Sequence, residues 1–151
     1  SAIERNAMLM GSAFAGLAIE NSMLGAAHAS ANPLTASCGL AHGHAVALML
    51  PHVIGLNQEV LKARETYAHY GTLLSHRQGA DWGVRAWVEH LLTIADLSPL
   101  AQCGVDPGLF TELAEDATRQ WTGQFNPRSM KREDFAVLYE GAFHGAATQD
   151  T

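Results

Sequence analysis

Positive charge is scarce in this chain. Its 151 residues carry nine Lys and Arg against fifteen Asp and Glu, for a formal net charge of -6. With no basic stripe to neutralise phosphates, nucleic acid is not an expected partner. Cysteine is nearly absent: Cys38 and Cys103 are the only two. That excludes a disulfide framework, and their spacing excludes the CxxC pairs of zinc ribbons and redox centres. They read as buried or idle thiols. The sequence contains no GxGxxG or similar Gly-rich turn to hold a dinucleotide pyrophosphate. The N-terminus has no basic segment leading into a short apolar core and cleavage site, so no signal peptide is expected and the cytoplasm is the expected location. Strand-like alternation of apolar and polar residues is also hard to find.

Apolar residues, in contrast, make up 48% of the chain and charged ones only 16%. That balance predicts a folded globular body rather than a disordered one, and the length predicts one domain over 1-151. The apolar stretch Ala7 to Ala31 is long enough to raise the question of a membrane. Glu20, Asn21 and His28 interrupt it, and Ala, Gly and Ser dominate it, so a close-packed buried helix is expected and no membrane partner.

The spacing of apolar residues is helical almost throughout, which predicts an all-α bundle of about six or seven helices. The first is expected from about Glu4 to Ser30, followed by a loop from Pro33 to Gly39. A second begins near His42 and is kinked or ended by Pro51, with a continuation to about Asn57. Amphipathic helices are expected over Gln58 to Leu74, Trp82 to Ala95 and Phe110 to Trp121, and a last one from near Met130, with Glu133 and Asp134 in its first turn. Ser98-Pro99 and Asp106-Pro107 read as helix starts, each pairing a capping side chain with a proline suited to the first turn.

Eight histidines are present, and position separates them. His69, His76 and His90 lie among polar neighbours and read as surface or half-buried residues, and His144 falls near the end of the chain. His52 follows Pro51 and is expected to bond a backbone carbonyl. His28 and His42 differ: each borders a long apolar stretch, and the segment between them holds Pro33 and Gly39, so the two imidazoles can face each other across a helix-loop-helix corner. Such a pair can supply half of a metal site, since open catalytic sites take three or more protein ligands. Core histidines satisfied by hydrogen bonds are the alternative. His44 is a poor co-ligand for His42, because i,i+2 residues on a helix diverge.

The residues around these histidines resemble the iron-containing, NAD(P)-dependent alcohol dehydrogenases of group III. The match comprises Gly25, His28, Ala29, Pro33 and Leu34, then His42, Gly43, Ala47, Leu50, Pro51 and Val53. Near the end, Asn126-Pro127-Arg128 with Glu133-Asp134-Phe135 and Leu138-Tyr139 resembles the family's closing segment. The resemblance runs along essentially the whole chain, in order.

It implies that the chain is a fragment of a C-terminal helical domain whose first helices and Rossmann-like cofactor domain lie upstream. It also implies that His28 and His42 are metal ligands for Fe(2+), with Zn(2+) the alternative, and that an Asp and a His come from a preceding helix. Implied too are NAD or NADP as cofactor, small alcohol and aldehyde substrates, and a homo-oligomer. Where many relatives have a further histidine, four residues after the first ligand, this chain has Asn32. An amide can orient cofactor or substrate but cannot shuttle a proton at neutral pH, so proton delivery would fall to water, the cofactor ribose or another residue. Capping the helix before Pro33 is the other reading of Asn32. Thr122 to Phe125 occupy a stretch that approaches the substrate pocket in relatives, or simply pack as a loop on the core. Two other outcomes stay open: a helical module without catalysis of its own, and a zinc-dependent relative of glycerol dehydrogenase or dehydroquinate synthase.

Overall fold

Seven α-helices carry the computed structural model, which describes residues 1-78 and 81-145. They are α1 (Ala2-Ser22), α2 (Ala26-Cys38), α3 (His42-Asn57), α4 (Leu61-Gln78), α5 (Val84-Ile94), α6 (Phe110-Arg119) and α7 (Arg132-His144). Among the described residues there is no strand, so the all-α bundle expected from the periodicity is the architecture observed.

Helix α2 lies at the centre, against α3, α6, α7 and the short 3-10 turn Trp121-Phe125. Its sequence explains the position: Ala26, Ala29 and Ala31 are fully buried together with Leu34, and methyl side chains let neighbouring backbones approach closely. Larger side chains from the surrounding helices fill the remaining space, chiefly Met49, Leu113, Phe135, Leu138 and Tyr139. Each such burial stabilises the fold by about 1.5-3 kcal/mol relative to exposure. Tyr139 keeps its polar end satisfied by donating to Ser30 O at 2.7 Å, and burial pushes its phenol well above the usual tyrosine range.

Three boundaries and one packed face differ from the sequence reading. The single helix expected from Glu4 to Ser30 is two, because the chain breaks at Met23 (φ 65°) and α2 departs from α1 at 105°. Pro33 does not open a loop: α2 continues through it to Cys38 and ends only where Gly39 takes the left-handed conformation at φ 69°. A proline inside a helix costs about 3 kcal/mol, and here the complete burial of the surrounding face outweighs that cost. Ser98-Pro99 starts a turn rather than a helix, whereas Asp106 does cap the turn it precedes, its side chain accepting from Gly108 N at 2.8 Å. The apolar spacing in α4 packs only in part: Ala63 is buried and Tyr67 half-buried, while Leu61, Tyr70 and Leu73 are exposed.

No single described helix is both long and apolar enough to cross a membrane. The bent pair α1 and α2 meets the length and composition together, but α2 is core. Helix α1 has no buried residue at all. Ile3, Ala7, Met10, Phe14 and Leu17 form an i, i+4, i+7, i+11, i+14 stripe along it, with Ile3 81% and Phe14 64% exposed. Such a stripe is the pattern of a helix that packs on a partner. The isolated 1-151 chain is therefore expected to self-associate through α1. Because a buried Phe is worth about 1.5-3 kcal/mol, Phe14→Glu should weaken that association about tenfold or more, read by light scattering across a dilution series. A chain that stays monomeric at every accessible concentration removes α1 as an adhesive surface.

Candidate metal centre

His28 is the third residue of α2 and His42 the first of α3. The left-handed turn at Gly39 reverses the chain between these helices, and it brings the two imidazoles to a ring-centroid separation of 5.4 Å with 49° between their planes. His28 is half-buried and His42 exposed. Burial lowers the pKa of His28, and the adjacent His42 lowers it further, so its ring is neutral at pH 7 with a lone pair free for a cation. Metal-nitrogen bonds of about 2.0-2.1 Å to each of two rings are compatible with this separation.

The donor chemistry thus fits a divalent metal such as iron or zinc, and it fits only in part. No group of three or more His, Cys, Asp or Glu able to hold a metal occurs among the described residues. The expected corner is formed, with two donors on it.

Asn32 lies one helical turn after His28 on the same face of α2. It does not cap a helix end, since α2 runs on past Pro33. Its Nδ2 instead donates to Gln120 Oε1 at 2.9 Å. Gln120 immediately precedes the 3-10 turn Trp121-Phe125, which packs flush on α2: a Cβ added at Gly123 would stand 3.4 Å from that of Ala29. Within the turn Thr122 is buried, its Oγ1 without a hydrogen-bond partner. Phe125 is exposed and meets Trp121 edge to face at 5.6 Å. The turn therefore packs on α2 at Ala29 and Asn32, with Thr122 inside the fold and Phe125 on its surface.

The other histidines leave this corner. His44 Nε2 meets Ser98 O at 2.9 Å and stands 4.0 Å from Cys103 Sγ, so it anchors the turn after α5 rather than joining His42. Among the described residues His52 finds no carbonyl partner of the kind expected of it. Its ring lies against α7, close enough that a Cβ on Gly141 would stand 2.6 Å from Nδ1. Burial lowers its pKa, the Arg85 charge adds to that, and Glu89 opposes it.

Asn126 has a role that its sequence context did not show. Its Oδ1 accepts from Ala26 N at 3.4 Å, at the first turn of α2, and from Asn57 Nδ2 at 3.1 Å, at the end of α3. Its own Nδ2 donates to Asn57 Oδ1 at 2.7 Å and to Arg128 O at 2.9 Å. Gly25 permits the approach, since a Cβ there would be 3.3 Å from Asn126 Oδ1. Arg128 adds ion pairs to Glu59 at 3.3 Å and to Asp134 at 3.0 Å. One short segment thus joins the start of α2, the end of α3 and the start of α7. The only sequence signal was the Asn-Pro-Arg string itself, because its partners lie far away along the chain.

Residues 2-143 match the model of the Fe-containing alcohol dehydrogenase family, C-terminal. The chain is 30% identical over 139 residues to the probable alcohol dehydrogenase EutG of Salmonella typhimurium, covering 91% of this chain and 35% of that protein. It is 29% identical over 144 residues to a 1,3-propanediol dehydrogenase of Klebsiella pneumoniae, covering 92% and 37%. Among solved structures, a 1,3-propanediol oxidoreductase superposes with a TM-score of 0.74 at 26% identity, over 85% of this chain and 35% of the other. The chain spans little more than a third of the length of these relatives.

Proposed function

Because this chain belongs to the iron-containing alcohol dehydrogenase family, whose C-terminal model it matches from residue 2 to residue 143, we propose that it is the metal-binding helical part of a longer NAD(P)-dependent alcohol dehydrogenase. The observation that carries the proposal is the His28-His42 pair, two imidazoles 5.4 Å apart at the α2-α3 corner. The first helices of the domain and the cofactor domain would come from the rest of the polypeptide, together with the missing ligands.

When bound, the divalent metal supplies a Lewis acid for the alcohol or aldehyde oxygen, and the nicotinamide gives or takes the hydride. The residues of this chain hold and shape the site. His28 and His42 would provide imidazole nitrogen donors, which suit iron and zinc alike; iron is the family-based assignment. Asn32, held by Gln120, offers a fixed amide one turn from His28 to orient substrate or cofactor. Its amide has no proton of suitable pKa, so it would not itself take the alcohol proton. Phe125, on the exposed side of its turn, would border the substrate, while Thr122, buried beneath the turn, would support it from inside the fold.

Elemental analysis tests this directly on the 1-151 chain and on the full-length protein, each reconstituted anaerobically with iron(II) and with zinc. Near-stoichiometric metal in the full-length protein alone is expected, because two donors make a weak site. A well-occupied metal on the short chain overturns the shared-site reading, and no metal on either overturns the metal reading.

A further inference from the structure

We propose that His52, Arg85 and Glu89 form an acid-sensitive latch, which holds α5 on α3 while His52 is neutral and releases it when His52 gains a proton. The latch is separate from the histidine corner: His52 lies ten residues along α3 from His42, about 15 Å at the helical rise. Its ring fills the notch that Gly141 leaves in α7, with Nδ1 2.6 Å and Cε1 2.9 Å from where a Cβ on that glycine would stand. Helix α5 also packs on α3. Arg85, in the first turn of α5, lays its guanidinium over Gly55, three residues past His52 and so on the same side of α3; a Cβ on Gly55 would be 2.9 Å from Nη1. A cation suits that place, because Gly55 belongs to the last turn of α3, where the helix dipole is negative. Glu89, one turn along α5, accepts from Arg85 Nε at 2.8 Å.

The half-buried His52 ring thus answers to one cation and one anion, both carried by α5. Burial and the Arg85 charge disfavour its protonated form, and Glu89 opposes them. The other titratable groups nearby are engaged elsewhere or exposed. On α7 the contact is the uncharged Gly141, and Glu140 and His144 are exposed. On α5, His90 stacks on Trp82 at 4.9 Å, and on α3 itself His44 is bonded to Ser98 O. Detaching α5 solvates the His52 ring and takes Arg85 away, so the open form binds the proton more tightly and acid favours opening. The direction follows from the lowered pKa: the latch is fully closed above the ordinary histidine value of about 6.5 and weakens as pH falls below it.

Amide hydrogen exchange of the 84-94 helix in the full-length protein tests this, read by mass spectrometry at about pH 7.5 and pH 5.5, across the range where histidine titrates, and corrected for intrinsic rates. Wild-type protection is expected to fall about threefold or more between the two, and His52→Gln to abolish that fall. Arg85→Met and Glu89→Gln break the same ion pair yet should act in opposite directions: the first shrinks the acid loss by removing the cation, and the second enlarges it by removing the anion. An ion pair with a structural role alone would loosen α5 alike in both variants at both pH values. The latch is overturned if wild-type protection does not change with pH, if the two charge variants move the acid loss the same way, or if His52→Gln retains it, which would assign the titration to His90 or His144. Should His52→Gln fail to fold, the opposite signs of the Arg85 and Glu89 variants decide.

Discussion

His28→Ala in the full-length protein is expected to strip the metal and to lower kcat/KM for alcohol oxidation by roughly 10³-fold or more. Lewis-acid activation is worth several kcal/mol, and each 1.36 kcal/mol is tenfold in rate. His42→Ala should do the same, since the proposed site takes one ligand from each of the two rings, which lie 5.4 Å apart. The informative control is His44→Ala. His44 lies two residues from His42 but bonds Ser98 O, so its loss should cost about 1 kcal/mol of stability and leave metal content intact. Metal analysis beside kinetics on the three variants separates the outcomes. Equal metal loss in all three would mean a general loosening of the α2-α3 corner, and full metal retention in His28→Ala would dismiss that residue as a ligand.

The histidine corner was legible in the sequence because its causes are local. Pro33 and Gly39 marked a reversal between two apolar stretches, and the reversal occurs, although Gly39 alone makes it. Proline was misread for a physical reason: its cost to a helix is local, while the burial of Ala29, Ala31 and Leu34 that offsets it comes from three other helices and cannot be seen along the chain. The break at Met23 escaped notice because no proline marks it, and helical apolar spacing continues on both sides. In α4 only the Ala63 side of the apolar spacing is buried, and Leu61, Tyr70 and Leu73 stay exposed, since periodicity shows only that a face could pack. The Asn32-Gln120 and Asn57-Asn126 pairs were out of reach altogether: each joins residues far apart in sequence, and an isolated amide in a sequence gives no hint of its partner.

Asn126→Ala is expected to be the most destabilising single polar change. It leaves the Asn57 amide, 2% exposed, without its main partner, and an orphaned buried polar group costs about 1-3 kcal/mol. It also uncaps Ala26 N, a loss of about 0.5-2 kcal/mol. The sum, about 1.5-5 kcal/mol, is a large share of the 5-15 kcal/mol typical of a folded protein. At about 2-4 °C per kcal/mol for this size, the fall in Tm should be visible by calorimetry. Adding Asn57→Leu to Asn126→Ala should cost far less than the two single changes combined, because removing both partners leaves no unpaired amide. Strict additivity would show that the reciprocal pair contributes nothing. The site should register the same change. His28 stands in the first turn of α2, the turn that Asn126 holds, so at temperatures where the variant remains folded its metal affinity should fall by about 10- to 100-fold, as for a lost outer-shell support. Unchanged metal affinity in a destabilised but folded Asn126→Ala would show that the imidazole corner is held by the α2-α3 turn alone.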